Sequence, residues 1–131
     1  MPQREDFLNG MMRRIVAALA GARETRLAGQ AEDALEQVQD TYGELFGIDS
    51  RMVLFLDAQA LANLLGDSGK LAGMGLCMTE EAATLRQLGR LDEARRLAAK
   101  ALILVREQLK KQTPFAEELR VAEAELTRSD S

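Results

Sequence analysis

Apolar residues recur at three- and four-residue spacing from the start of the chain: Leu8, Met11, Met12, Ile15, Leu19 and Ala22, then Ala31, Ala34, Leu35, Val38, Tyr42, Leu45 and Phe46. This is the period of an amphipathic helix, and in the second stretch Glu32, Glu36, Gln37, Gln39, Asp40 and Glu44 hold the polar face. The pattern predicts helices over residues 2–27 and 31–46. Pro2 is placed for a helix start, Glu5 and Asp6 complement the dipole of the first turn, and Gly29 and Gly47 are the stops. Gly10 and Gly21 weaken the first helix by up to ~1 kcal/mol each relative to alanine, which points to close approach of another helix there.

Asp49-Ser50 caps a short helix through Leu56, and Asp57 caps another over residues 58–65. Gly66-Asp67-Ser68-Gly69 is the main break. A fifth helix carries Leu71, Met74, Met78, Ala82, Leu85 and Leu88 and ends at Gly89; Gly73 and Gly75 leave its start either before Leu71 or near Thr79. A sixth runs over residues 91–111 with Ala94, Ala98, Ala101, Leu102, Val105 and Leu109 inward. Thr113 as cap and Pro114 in the first turn open a seventh, with Phe115, Leu119, Ala122 and Leu126 as its stripe. The last residues, 127–131, are expected to fray.

Two stretches of this pattern repeat. Leu27-Ala-Gly-Gln-Ala-Glu-Asp-Ala34-Leu35 and Leu88-Gly-Arg-Leu-Asp-Glu-Ala94-Arg-Arg-Leu97 align on Gly29 and Gly89. Each reads as a helix end, a glycine turn, an acidic first turn and a second helix. The joint of a helix hairpin is used twice, so the fold class is all-α, with five to seven helices in one domain over residues 1–131.

Composition narrows the chemistry. Apolar residues make up 47%, charged residues 29% and aromatic residues only 4% of the 131 residues, a globular and helix-favouring mixture. There is no histidine, which removes the usual neutral-pH general base and the commonest metal ligand. The single Cys77 excludes an internal disulfide and a thiolate zinc site. With no targeting segment and no apolar run long enough to span a bilayer, the expected setting is soluble and cytoplasmic.

Charge is unevenly placed within the net −4. Residues 30–67 are acidic, with Arg51 the one cation; residues 86–111 carry Arg86, Arg90, Arg95, Arg96, Lys100, Arg106, Lys110 and Lys111. Such a split steers association with a second copy or a partner, or simply solvates helix faces.

Five constellations invite a functional reading. Gly66-Asp-Ser-Gly-Lys70 resembles a phosphate loop, but positions 64 and 71 are leucines where the motif needs glycine and a hydroxyl. The pairs Glu80-Glu81, Glu117-Glu118 and Glu123 with Glu125 could hold magnesium, whereas a dinuclear site would need histidine; solvated helix surface is the simpler reading. Cys77, flanked by Leu76 and Met78, reads as a core thiol. The basic stretch has no aromatic residue to stack a base, and the sequence pI of ≈ 5.0 weighs against nucleic acid. Met52-Val-Leu-Phe-Leu56 and Met11-Met12 are core or a sticky groove, with core the simpler reading.

The joints resemble tetratricopeptide repeats, with Gly89 at the turn, Ala94 as the small residue opening the second helix and Ala101-Leu102 as the later small-apolar pair; Gly29, Ala34 and Val38 match less completely. The joints lie 60 residues apart, against ~34 in that family, and the closing proline is missing near residue 107. The resemblance implies protein or peptide binding in the groove lined by the first helix of each hairpin. Separately, Met1-Pro-Gln-Arg-Glu-Asp-Phe-Leu8 with Met11-Met12-Arg13 resembles the start of a small bacterial family of helical proteins, which brings no function with it.

The sequence therefore leads to a non-enzymatic interaction module without cofactor or metal, either a hairpin array or a compact bundle, possible as a homodimer. Its expected partner contacts are Arg13, Arg14, Arg86 and Arg90. The alternatives are a small-ligand or enzymatic domain using carboxylates and arginines, and a nucleic-acid accessory.

Overall fold

The computed structural model describes residues 2–66, 68–111, 113 and 115–129, and only the backbone of residues 2–8, 68 and 129. The chain is all-helical among these residues: α1 (Pro2–Leu27), α2 (Ala31–Thr41) continuing into a π-helical turn (Tyr42–Phe46), α3 (Ser50–Phe55), α4 (Ala58–Leu65), α5 (Ser68–Gln87), α6 (Leu91–Leu109) and α7 (Ala116–Ser129). Pro114, Asp67 and the chain ends beyond Ser129, on which some sequence expectations fall, lie outside the described residues.

The two aligned joints are the same structure. Gln30 N–H donates to the Thr25 carbonyl and Gly29 N–H to Arg26; Arg90 N–H donates to the Leu85 carbonyl and Gly89 N–H to Arg86. Both are Schellman endings, and both glycines hold the left-handed conformation they require, at φ 86° and 80°. The extra length between the joints is taken up by α3 and α4. These are capped as expected: Asp49 accepts from Arg51 N–H, and Asp57 accepts from Ala60 N–H.

Helix α5 is the axis of the molecule, packed by α1 and α2 on one flank and α6 and α7 on the other. Every residue from Leu71 to Thr79 is buried. The expected one-sided stripe is therefore too narrow, because a helix enclosed by its neighbours is apolar all round. The helix starts at Ser68 rather than near Thr79.

The glycine expectation for α1 is corrected in the same place. A Cβ built on Gly10 or Gly21 meets nothing within 4 Å, whereas one on Gly73 would lie 2.5 Å from Ile15 Cδ1 and one on Gly75 would lie 3.2 Å from Val105 Cγ2. The glycines that read as helix breakers in α5 are the ones that let α1 and α6 come close.

The Met52–Leu56 run is a second correction. Val53 is buried and Leu56 half-buried, but Met52, Leu54 and Phe55 are exposed, Phe55 by 88%. A short helix lying on the body of the protein can bury only one of its sides. Met11 and Cys77, by contrast, are in the core as the simpler reading had it.

Candidate functional site

Helices α1 and α7 stand on either side of α5 and leave a groove of about 250 Å³ between them. Ile15 opposite Gly73 and Arg26 opposite Glu80 show α1 running parallel to α5. One wall is Val16, Leu19, Ala20 and Arg23 of α1; the other is Glu118, Val121, Ala122 and Glu125 of α7. Leu76, Thr79 and Glu80 of α5 form the floor. The i, i+3, i+4 spacing within each wall puts those side chains on one helix face.

The floor is fixed by polar contacts that leave little free. Arg26 Nε donates to Glu80 Oε2 at 2.7 Å, and these side chains are only 16% and 11% exposed. Gln87 Nε2 donates to the Arg26 carbonyl, a second tie between α1 and α5. Thr79 Oγ1 donates to the Gly75 carbonyl. Across the mouth, Arg23 approaches Glu125 at 3.6 Å with both side chains well exposed, an interaction of small worth.

Two features of the groove are unsatisfied. Val16 and Val121 are 41% and 53% exposed on its banks. Glu118 Oε2 is buried from solvent and has no hydrogen-bond donor, and a buried carboxylate oxygen without a donor is costly. The arrangement can therefore accept apolar side chains between walls that carry Arg23, Glu118 and Glu125.

A second polar cluster lies behind α5. Glu81 is fully buried; Tyr42 Oη donates to its Oε1 at 2.7 Å and Gln39 Nε2 to its Oε2 at 3.5 Å. Burial raises the Glu81 carboxyl above its ordinary value, against the lowering effect of these two hydrogen bonds. Burial and the adjoining Glu81 raise the Tyr42 hydroxyl, and burial raises the Cys77 thiol. A thiol held protonated in the core is unreactive. The reading of Glu80-Glu81 as solvated surface is thus corrected: one is in a buried ion pair and the other in a core hydrogen-bond network.

The four arginines expected to contact a partner are not gathered in one place. Arg86 borders a small recess that shares Thr79 and Glu125 with the groove. Arg90 is bidentate to Glu93 at the α5–α6 joint. Arg13 and Arg14 are exposed in the middle of α1, about 20 Å from Arg86 along the parallel helices at 1.5 Å per residue. The described residues bring no three or more metal-ligating side chains together. Ser68, Gly69 and Lys70 of the phosphate-loop-like segment form the first turn of α5. Among the described residues no helix is long and apolar enough to cross a membrane. Glu32, Asp33, Glu36, Asp40 and Glu44 of α2 and its π-helical turn are exposed, and among the described residues ion pairs join α1 to α5, α1 to α7 and α6 to α7.

Sequence reading missed Val16 and Val121 because the apolar stripes of α1 and α7 were assigned by period alone, and weighed Glu118 only as half of the Glu117-Glu118 pair. Both valines fall beside those stripes, a signal visible in the pattern but indistinguishable there from scattered surface residues. No family model, no characterised protein and no solved structure matches the chain.

Proposed function

We propose that this chain is a non-enzymatic protein-binding module whose docking surface is the groove between α1, α5 and α7. The observation that carries the reading is the combination in one groove of exposed valines on both banks and the polar side chains Arg23, Glu118 and Glu125 along its walls. An apolar surface rimmed by polar groups is what a protein partner buries. The three helices that line it are the first helices of the two hairpins and the helix that follows them, where a tetratricopeptide-like arrangement carries its ligand. A cytoplasmic setting fits the lone core thiol.

The reading is tested by affinity capture from native-source lysate treated with nuclease. The baits are the wild type, Val16→Glu with Val121→Glu, and Ile103→Glu, a control at an exposed apolar residue of α6 outside the groove. A protein captured by the wild type and the control, and lost at least tenfold by the groove variant, is expected. Equal capture by all three would remove the groove from the function.

A further inference from the structure

A second recess, of about 200 Å³, lies between α3 and α6 and shares no lining residue with the groove. It is lined by Leu54 of α3 and by Glu93, Arg96, Leu97 and Lys100 of α6. The four α6 residues fall at i, i+3, i+4 and i+7, which sets them on one side of the helix. Leu97 is fully buried and Leu54 is partly exposed. The recess therefore joins an apolar surface to two cations one helical turn apart.

Those cations have donors that the chain leaves uncommitted. Arg96 is exposed and makes neither a hydrogen bond nor an ion pair among the described residues, whereas its neighbour Arg95 pairs with Asp92. Glu93, the one carboxylate of the lining, has both oxygens taken by Arg90, at 3.1 and 2.7 Å. These hydrogen bonds, with a lesser contribution from Arg96, hold the Glu93 carboxyl below its ordinary value. Lys100 Nζ donates to the Val53 and Leu54 carbonyls at 2.7 and 2.9 Å. This fixes the ammonium and leaves the third of its donors over. Burial, helped by the like charge of Arg96 and opposed by Asp57 and Glu81, holds Lys100 below its ordinary value. Asp57 is outside the lining, and its carboxylate caps α4.

Two cations against one carboxylate leave the lining with an excess positive charge, the complement of a monoanion. A guanidinium offers the paired donors that match a carboxylate. The volume exceeds the ~150 Å³ apolar cavity that takes up a benzene ring and falls short of the ~300–1,000 Å³ of sites for drug-sized ligands. We propose that the recess between α3 and α6 binds a carboxylate bearing a short apolar chain, with Arg96 and Lys100 donating to the oxygens and Leu54 and Leu97 covering the chain. A free acid supplies this chemistry, as does the C-terminal residue of a peptide ending in an apolar side chain. The site is separate from the groove and is tested separately.

The test is a titration of the isotopically labelled full chain, followed by two-dimensional NMR, with isovalerate and with isovaleramide, its uncharged isostere. Saturable shifts confined to α3 and residues 93–100 are expected with millimolar isovalerate, and none with the amide. Arg96→Gln should raise the Kd about tenfold, the loss of one charge-assisted hydrogen bond. Arg96 is exposed, so the fold is kept, and Arg95→Gln, outside the lining, should bind like the wild type. A leucine-ending tripeptide that binds tighter than isovalerate, and loses binding when its C-terminus is amidated, assigns the site to peptide ends. A tripeptide weaker than isovalerate assigns it to the free acid. Shifts that do not saturate into the tens of millimolar overturn the proposal, as do equal shifts with the amide or an Arg96→Gln variant that binds like the wild type. Inorganic phosphate binding as tightly as isovalerate at the same ionic strength overturns the choice of a carboxylate.

Discussion

Alanine at Gly21 and at Gly73, in the interiors of two adjacent helices, should move stability in opposite directions. A methyl group at Gly21 meets nothing within 4 Å, so alanine there recovers the helix propensity that glycine forfeits, about 1 kcal/mol. At Gly73 the same gain is set against a methyl placed 2.5 Å from Ile15 Cδ1 and 3.2 Å from Phe46 Cζ. Ile15 is fully buried, and its terminal methyl can turn aside only into atoms that already touch it. Overpacking of this kind costs ~1–3 kcal/mol, which leaves Gly73→Ala destabilised by about 1 kcal/mol net. The assay is urea unfolding followed by far-UV circular dichroism. The two midpoints should fall on opposite sides of the wild type with a common slope. A separation of about 2 kcal/mol corresponds to roughly 6–10 °C in melting temperature for a chain of this size. If Gly73→Ala is stabilised as much as Gly21→Ala, α1 and α5 do not meet at Ile15 and the wall of the groove is misplaced.

Three further outcomes follow from polar groups within or against the core. The folded-state pKa of Glu81 is raised above its ordinary 4.5 by burial, so the native state holds the proton more tightly than the unfolded chain. Stability from this group is therefore lost as pH rises from 4.5 through the raised value, and is flat above it. Glu81→Gln removes that titration, and the wild-type advantage over it, read from urea midpoints, should shrink with rising pH; a constant difference would contradict the burial of Glu81. Lys100→Met removes the two hydrogen bonds to the end of α3 and should raise amide exchange in α3 and α4 with little change elsewhere; uniform exchange would mean α3 is held by other contacts. Gln108 is buried with Oε1 lacking a partner, and Gln108→Met should stabilise by ~1 kcal/mol on thermal unfolding; a loss of stability would show that the amide is satisfied.

How far the fold could be read in advance differs from element to element. The joints at Gly29 and Gly89 were legible because left-handed backbone leaves few residue choices, and Asp49 and Asp57 because side-chain caps act within one turn. Helix α5 was less so: the enclosure of Leu71–Thr79 comes from helices distant in sequence, and a glycine that permits close packing looks like one that breaks a helix until the neighbour is in place. The same limit applies to Phe55, whose apolar run is consistent with core or surface until α3 is laid against α6. Arg86 lines a separate recess beside the candidate groove, not the groove itself. Glu118 was only one carboxylate among several, because its place on the groove wall depends on where α7 lies against α1 and α5.

The most direct measurement of the central claim is site-specific photocrosslinking from position 121, with a benzophenone side chain replacing Val121 and the same group at Ile103 as control, in native-source lysate. A discrete protein adduct from position 121 that is absent from position 103 is expected. No adduct from position 121, or the same adducts from both positions, would contradict the claim that the groove between α1, α5 and α7 is a docking surface.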